Sequence, residues 1–541
     1  MRTKQAKWKR VAAGCLALML AAVPLSACTV NDDPGVLEIN WTLGGYGDAY
    51  CQPLMDAFTA ETGIECTPTY DNNSASVVEG QIGSVNRTTT DLFIMMVPSF
   101  PMIDGQKNRH GYENTILELT DFYEEIVPGT DSTLKEWLKE GMYEANQTDD
   151  GKIYTVPWIS PMDGLAYNKL VLDQFGIDYL PRTTDEFIEI LDQIKSGFSV
   201  DGKPVTTAEG EKIYGLISAN NSAYWAFVWP TWWAQYEGMD NVYNYFQAKL
   251  PDAAENSLPD WQALRQEGKR LSIVELDRFI AKDNGYMHPD SLNRDNLLSQ
   301  IDFLDGKVAF IPTGDWMEQE SIQAYREAGI EVDARFMKTP VTSYLGVKLG
   351  ITEAELRTAI DYVDIVSEGG SAAAPTYSGK SAEESAEITR QILEARLLVS
   401  SSQASSDRAI IPAYSNNIEG AKQFLLFFAS PKGQEIMAKY SGATSPFRYE
   451  ASDEVKSGFS TFTTSAMEIT AREGVRYWID DFKYPIRYKA NLLITYWNTV
   501  NYQRGFEEVL YSGTKTPQQV YNEDWSSYRN NWDRMLSQAG Y

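Results

Sequence analysis

The stretch from residue 36 to residue 97 constrains the architecture most. Val36-Leu-Glu-Ile-Asn-Trp-Thr42 reads as a strand and Gly44-Gly45-Tyr46-Gly47 as a turn. Leu54, Met55 and Phe58 then fall at helical spacing over residues 48–62, which end at Gly63. Ile64 to Tyr70 predicts a second strand, with Pro68 pushing it toward a sheet edge. A helical stretch covers about 74–85, and Asp91-Leu-Phe-Ile-Met-Met-Val97 is the unbroken apolar run of a parallel strand buried on both faces. Strand, helix, strand, helix, strand implies an α/β lobe with a parallel sheet. Ligands in such sheets sit at the carboxyl ends of the strands, which here carry the loops 41–46, 71–74 and 97–100.

The rest of the chain supplies further elements. Tyr154-Thr-Val-Pro157-Trp158 reads as an extended crossover after the turn Asp149-Asp150-Gly151-Lys152. Thr183 and Glu186 form a capping box ahead of Phe187, Ile190, Leu191 and Ile194 on one helix face. Lys307-Val-Ala-Phe-Ile311 predicts a short strand, followed by Pro312-Thr-Gly-Asp-Trp316. Residues 352–407 are rich in Ala, Ser and Glu and read as a helical insertion, mobile near 369–382. Ser430-Pro431 marks a helix start, and residues 487–536 predict two or three helices with many aromatics.

Composition narrows the function. The 541 residues leave room for two large domains. The formal charge of −28 disfavours nucleic-acid binding, because an acidic surface repels phosphate backbones. His110 and His288 are the only histidines, which weakens His-ligated metal sites and Ser/His/Asp or Cys/His catalysis. The cysteines show no C-x-x-C spacing. Asp283-Asn284-Gly285 and Asp149-Asp150-Gly151 are acidic turns that do not fit a calcium loop, so neither a metal nor a cofactor is expected.

The N-terminus carries an export address. Arg2, Lys4, Lys7, Lys9 and Arg10 precede an apolar run from Val11 to Pro24 that is too short to span a membrane. Leu25-Ser26-Ala27-Cys28 resembles a bacterial lipobox. It implies a signal peptide at 1–27, lipidation of Cys28, a tether over 28–35 and anchoring on the outer face of the cytoplasmic membrane. Cys51 and Cys66 remain, and an exported chain invites a disulfide between them. Cys51 lies early in a helix and Cys66 at the start of the next strand, roughly 10 Å or more apart in a βαβ unit. That exceeds the ~7 Å Cα limit, which argues against the bridge.

With 14 Trp and 31 Tyr the chain is rich in flat amphipathic surface, and sugars suit it. An aromatic ring covers the apolar face of a pyranose, and Asp, Asn and Glu take its hydroxyls. The candidate ligand contacts are Trp316 after the Gly-Asp turn, Tyr224 and Trp225 leading the Trp-rich segment, Trp158 and Asp163 at the crossover, Trp41 and Tyr46 at the end of the first strand, and Trp497. Trp229 and Trp233 read as the buried face of a helix, and Trp41 and Trp497 fit a core as well as a cleft. No catalytic pair stands out, although 75 acids leave a glycoside hydrolase or lyase possible. A binding protein for a polyamine or peptide, or an adhesin, is a further alternative.

Several ordered stretches carry a family likeness: Gly164-Leu-Ala-Tyr-Asn-Lys169, Pro181-Arg-Thr-Thr-Asp-Glu-Phe187, Gly306-Lys-Val-Ala-Phe with Gly314-Asp-Trp316, Ala421 to Tyr440 with Phe424, Phe428 and Ser430-Pro431, and Ser512-Gly513-Thr-Lys-Thr-Pro-Gln518. With them the chain resembles the extracellular solute-binding proteins of carbohydrate ABC importers, family 1 type. The resemblance implies an α/β, two-lobed, periplasmic-binding-protein-like fold (type II) with the ligand in a cleft between lobes. One lobe is expected at 36–153 plus 341–441, including the insertion 352–407, and the other at 154–340 plus 445–541. It further implies a monomer that captures a sugar, an oligosaccharide by the chain's length, and delivers it to ABC permease subunits. Trp316 matches the family's Gly-x-Trp aromatic, the Tyr224-Trp225 region a loop that supplies another ring, and Trp497 lies near a third.

Overall fold

The computed structural model describes residues 35–541 apart from 72–74, 86–87, 97–98, 219–223, 255, 406 and 494–505. The signal segment, Cys28, the tether up to residue 34 and Trp497 therefore lie outside the described residues. Two sheets organise the rest. The first has the order β2-β1-β3-β10-β4, with β1 Val36–Thr42, β2 Glu65–Asp71, β3 Leu92–Met96, β4 Val156–Pro157 and β10 Asp407–Ile410. β1 runs parallel to β2 and β3, while β10 is antiparallel to β3 and pairs Asp407 with Met96. The helices Cys51–Thr62 and Ala75–Ile82 connect the parallel strands.

The second sheet has the order β11-β9-β5-β7-β6, with β8 also paired to β5. Its members are β5 Asp163–Asn168, β6 Tyr214–Leu216, β7 Val308–Gly314, β8 Ala334–Phe336, β9 Leu398–Ser400 and β11 Arg476–Trp478. β7 continues through Pro312-Thr-Gly314, pairing Gly314 with Asp163, where the sequence alone suggests a turn. Thr183 caps the helix Thr184–Ser196 by accepting from Glu186 N–H, as its capping-box position predicts. The Glu186 carboxylate instead takes the Arg182 backbone N–H and its guanidinium, because Arg182 offers a charge-assisted partner beside it.

The lobes divide the chain differently from the sequence-based expectation. Residues 343–400 belong with the second sheet, not the first. The helices Glu353–Ser367 and Ala382–Arg396 lead into β9, which pairs with β11 and β5. Arg182 to Asp361 at 2.6 Å and Arg357 to Glu189 at 2.7 Å tie the first of these helices to the 182–196 region. Only from β10 onward does the chain rejoin the first sheet. Conversely, residues 446–448 lie on the first lobe, where Lys139 N–H donates to the Pro446 carbonyl and Arg448 N–H to that of Trp137. The first lobe thus recruits two late segments, 407–441 and the run beginning at 446.

One apolar cluster runs from Leu37, Ile39, Trp41 and Phe424 of the first lobe to Ile311, Trp316 and Phe336 of the second. A second covers the other face of the second sheet, joining Leu165, Leu216 and Phe310 to Trp225, Trp229, Trp232, Trp233 and Trp478. Trp229 and Trp233 stack at 6.4 Å inside it, which is the role their helical spacing predicts. Both Cys51 and Cys66 are free thiols. Burial pushes the Cys66 thiol up to about 12, so it is inert as a nucleophile. No helix among the described residues is long and apolar enough to cross a membrane.

The helix Pro517–Asn530, next to last in the chain, is pinned to the helix Glu267–Ile280 by a buried ion pair. Lys269 Nζ donates to Asp524 Oδ2 at 2.6 Å and to the Tyr245 hydroxyl at 2.7 Å, and both charged side chains are essentially inaccessible. Removing one partner strands the other charge in an apolar surround, which costs about 3–5 kcal/mol. Asp524→Ala is therefore expected to lower the urea midpoint sharply. Lys269→Met/Asp524→Leu, which removes both charges, is expected to recover most of the loss in the same measurement.

Candidate functional site

The site is built where the lobes meet. Tyr46, in the loop after β1, donates its hydroxyl to Asp315 Oδ1 at 2.6 Å; Asp315 follows β7 in the other lobe. Asp315 Oδ2 accepts from Thr444 N–H at 3.0 Å, on the first-lobe loop after the helix Pro431–Ser441. Asp163, at the start of β5, accepts at Oδ2 from Ser402 N–H at 2.9 Å and from its hydroxyl at 2.8 Å. Ser160 and Ser401 hydroxyls lie 3.1 Å apart, and Ser160 N–H donates to the Thr444 carbonyl. The two chain crossings near residues 158–163 and 400–407 and the first-lobe loop at 441–446 are thus bonded to one another as well as to both sheets.

Asp407 opens β10 at this knot. Its carboxylate is buried, and neither oxygen has a hydrogen-bond partner. Burial raises Asp163 to about 7. It also raises Asp315, and pushes Asp407 well above the usual carboxylate range, with the neighbouring carboxylates adding to the effect. The Tyr46 hydroxyl is raised by burial and by all three acids. Arg408 points to the opposite face of β10, as strand alternation requires. Its guanidinium is fully buried, with Nε and Nη2 unpartnered, and burial lowers it to about 10.

Aromatic rings wall the second-lobe side. The short 3-10 helix Tyr224–Phe227 places residues three apart on one face. Tyr224 and Phe227 accordingly both meet the Trp316 ring edge-on, at 6.3 and 5.4 Å. Trp225, on the other side of that turn, enters the Trp229–Trp233 core and not the junction. The Trp316 ring lies over Gly314, where a Cβ would stand 2.1 Å from it. Across the junction, a Cβ on Gly45 would stand 2.7 Å from the Trp316 Cβ and 3.0 Å from Glu320 Oε1. Only glycine at both positions lets the loop of one lobe close on the ring of the other. Glu320 sits in the π-helical turn Glu318–Ile322, accepts from Gln300 Nε2 at 2.6 Å and is raised by burial to about 7.

Four of the sequence-derived candidates, Trp316, Tyr224, Tyr46 and Asp163, are brought together here. Trp158 lies at their edge, stacked on Tyr50 at 6.3 Å and edge-on to Tyr46 at 6.2 Å, with its Nε1–H given to the Met95 carbonyl at 2.8 Å. Trp41 instead packs in the first-lobe core against Tyr50 and Phe424, because it shares a strand face with Leu37 and Ile39. The expectation of an open groove also differs from the structure: the halves are in contact and the rings are buried between them, Trp316 retaining 7% exposure. Sequence reasoning missed Asp315, Asp407, Phe227 and Glu320. Asp315 lies inside the Gly-Asp-Trp motif, whereas nothing around Asp407 in the Ser-rich 400–407 stretch marks it. No group of three or more His, Cys, Asp or Glu among the described residues is arranged to hold a metal.

Comparison with known proteins agrees with this architecture. Residues 42–435 match the family described as bacterial extracellular solute-binding protein. The chain is 26% identical over 180 residues to a multiple sugar-binding protein of Streptococcus mutans, a match that spans 32% of this chain and only 35% of that relative's length. A solved structure of RafE in complex with raffinose superposes with a TM-score of 0.55 at 14% identity, covering 92% of this chain and all of that one. A family 1 extracellular solute-binding protein from Bifidobacterium longum subsp. infantis superposes at 0.52 and 12% identity, covering 92% and 99%. At such identities the superpositions speak for the fold, and the family match over most of the chain settles membership: this protein belongs to the bacterial extracellular solute-binding proteins.

Proposed function

We propose that the protein captures a carbohydrate between its lobes and delivers it, unmodified, to an ABC permease while anchored to the outer face of the membrane through Cys28. The observation that carries this reading is Trp316. Its ring projects from the end of β7 against Tyr224 and Phe227, opposite the Gly44-Gly45-Tyr46 loop of the other lobe. Opening the lobes withdraws that loop and bares the ring together with Asp315, Tyr46 and Glu320. The ring then covers the apolar face of a sugar, and the acids accept its hydroxyls. The ligand's contacts with the loop draw the lobes shut, with a bias equal to its preference for the closed form. The sugar-binding name of the Streptococcus mutans relative and the raffinose held by RafE support this substrate class. The family's description as solute-binding supports a site that needs no catalytic pair.

The convergence of Asp163, Asp315 and Asp407 favours a second reading, a cationic solute such as a polyamine. Calorimetric titration with raffinose, malto- and xylo-oligosaccharides on one side and spermidine on the other separates the two. Heat and tryptophan quenching with a sugar alone support the first reading; binding of spermidine alone replaces it.

Two outcomes are expected of variants. A stacked ring removes about 50 Å² of apolar sugar surface, worth roughly 1–1.5 kcal/mol. Trp316→Ala is therefore expected to weaken sugar binding about tenfold in the same titration while leaving thermal unfolding cooperative. Cys28→Ser removes the acylated thiol, and is expected to abolish incorporation of labelled palmitate and to release the protein from the membrane fraction.

A further inference from the structure

The three buried carboxylates do something other than wait for a ligand. Asp163 and Asp407 stand at the ends of the segments that cross between lobes, and Asp315, at the end of β7, is bonded by a tyrosine of the other lobe. We infer that these acids make lobe closure proton-linked, so that the ligand-free protein closes as the pH falls and opens as it rises. The inference rests on the two-lobed capture reading for its consequence, since ligand affinity would follow the same slope, but not for its test.

Geometry supplies the mechanism. Closing seats the Gly44-Gly45-Tyr46 loop on Trp316, Glu320 and Asp315 and shuts water out from the acids behind it. Every partner that bonds these acids is a neutral donor. Asp315 meets the Tyr46 hydroxyl and Thr444 N–H, Asp163 meets the N–H and hydroxyl of Ser402, and the Asp407 carboxylate has no hydrogen bond. The charged groups facing them are few. Arg408 lies on the far side of β10, turned toward Tyr123 and Asp481. Lys139, reaching in from the first lobe, is near Asp315 and is lowered by its own burial to about 8. Glu320, on the second lobe behind Gly45, adds a further acid of the same sign.

The direction follows from linkage. Where opening admits water, a carboxyl returns toward its ordinary value of roughly 4. In the closed form Asp163 titrates near 7, and Asp315 and Asp407 are likewise raised, so closing takes up protons. The closed form is therefore favoured progressively from about pH 7 downward, and the bias levels off below about pH 4, where both forms are protonated. For each proton taken up, the closed-to-open ratio changes by up to about tenfold per pH unit. Lys139 acts in a separate window above about pH 8, where burial makes closing release a proton.

Small-angle scattering of the ligand-free, full-length mature protein between pH 5 and pH 8 tests this, at both 0.1 and 0.5 M salt. The expected result is a radius of gyration that increases with pH at both salt concentrations. Salt screens repulsion across the acidic surface but reaches the buried acids far less. In Asp315→Asn/Asp407→Asn the pH response is expected to shrink markedly, with the Tyr46 contact retained. A radius that does not change with pH in the wild type overturns the inference, as does a response that vanishes at 0.5 M salt. A double variant that folds and keeps the full response overturns it equally. Absence of sugar binding in the titrations above would remove the capture reading and leave this measurement standing.

Discussion

The contact between Tyr46 and Asp315 is the constraint on which the rest of the junction depends. It joins the loop after the first strand of one sheet to the end of the longest strand of the other. For that bond to form, Gly45 has to pass within touching distance of Trp316, and the Trp316 ring has to lie flat over Gly314. The same Asp315 holds Thr444 of the first-lobe loop 441–446, while Asp163 holds Ser402 and so fixes the second crossing. Aromatic wall, acid cluster and interlobe connections are therefore one construction. A change at any of them is felt at the others, because interiors of this density transmit displacement instead of absorbing it.

Much of the first lobe was legible in the sequence because its signals are local. The strand over 36–42, the apolar run near 92–96 and the helix ending at Gly63 each follow from periodicity and capping. The second lobe was less legible because its sheet is assembled from distant pieces. β5, β7, β9 and β11 come from residues near 165, 310, 399 and 477, and β9 and β11 have only three residues each. Short strands of that kind carry too little alternation to announce themselves, and the helices of 352–407 look alike whichever lobe they cover. Their assignment is set by ion pairs such as Arg357 with Glu189, which no spacing rule foresees.

The candidate site divides along the same line. Trp316, after the end of a strand, and Tyr224, leading the Trp-rich segment, do meet at the junction, as their positions in the sequence suggest. Trp41 and Trp225 misled because the side a ring faces depends on the phase of a strand or of a 3-10 turn, and both fall on the core phase. Asp407 was invisible, since its significance lies in what surrounds it and not in what precedes it. In an acidic chain one more aspartate carries no signal until burial singles it out.

The interleaving of the two lobes has a consequence for how the molecule comes into being. A chain delivered N-terminus first presents β1, β2 and β3 early, yet their sheet lacks its neighbour β10 until residues 407–410 arrive. The second sheet waits longer still, for β11 at 476–478, and its helical cover for Asp524 to find Lys269. Neither half can finish until most of the chain has been made. Such a polypeptide stays threadable while most of it is made, and sets almost all at once when its final turns come through.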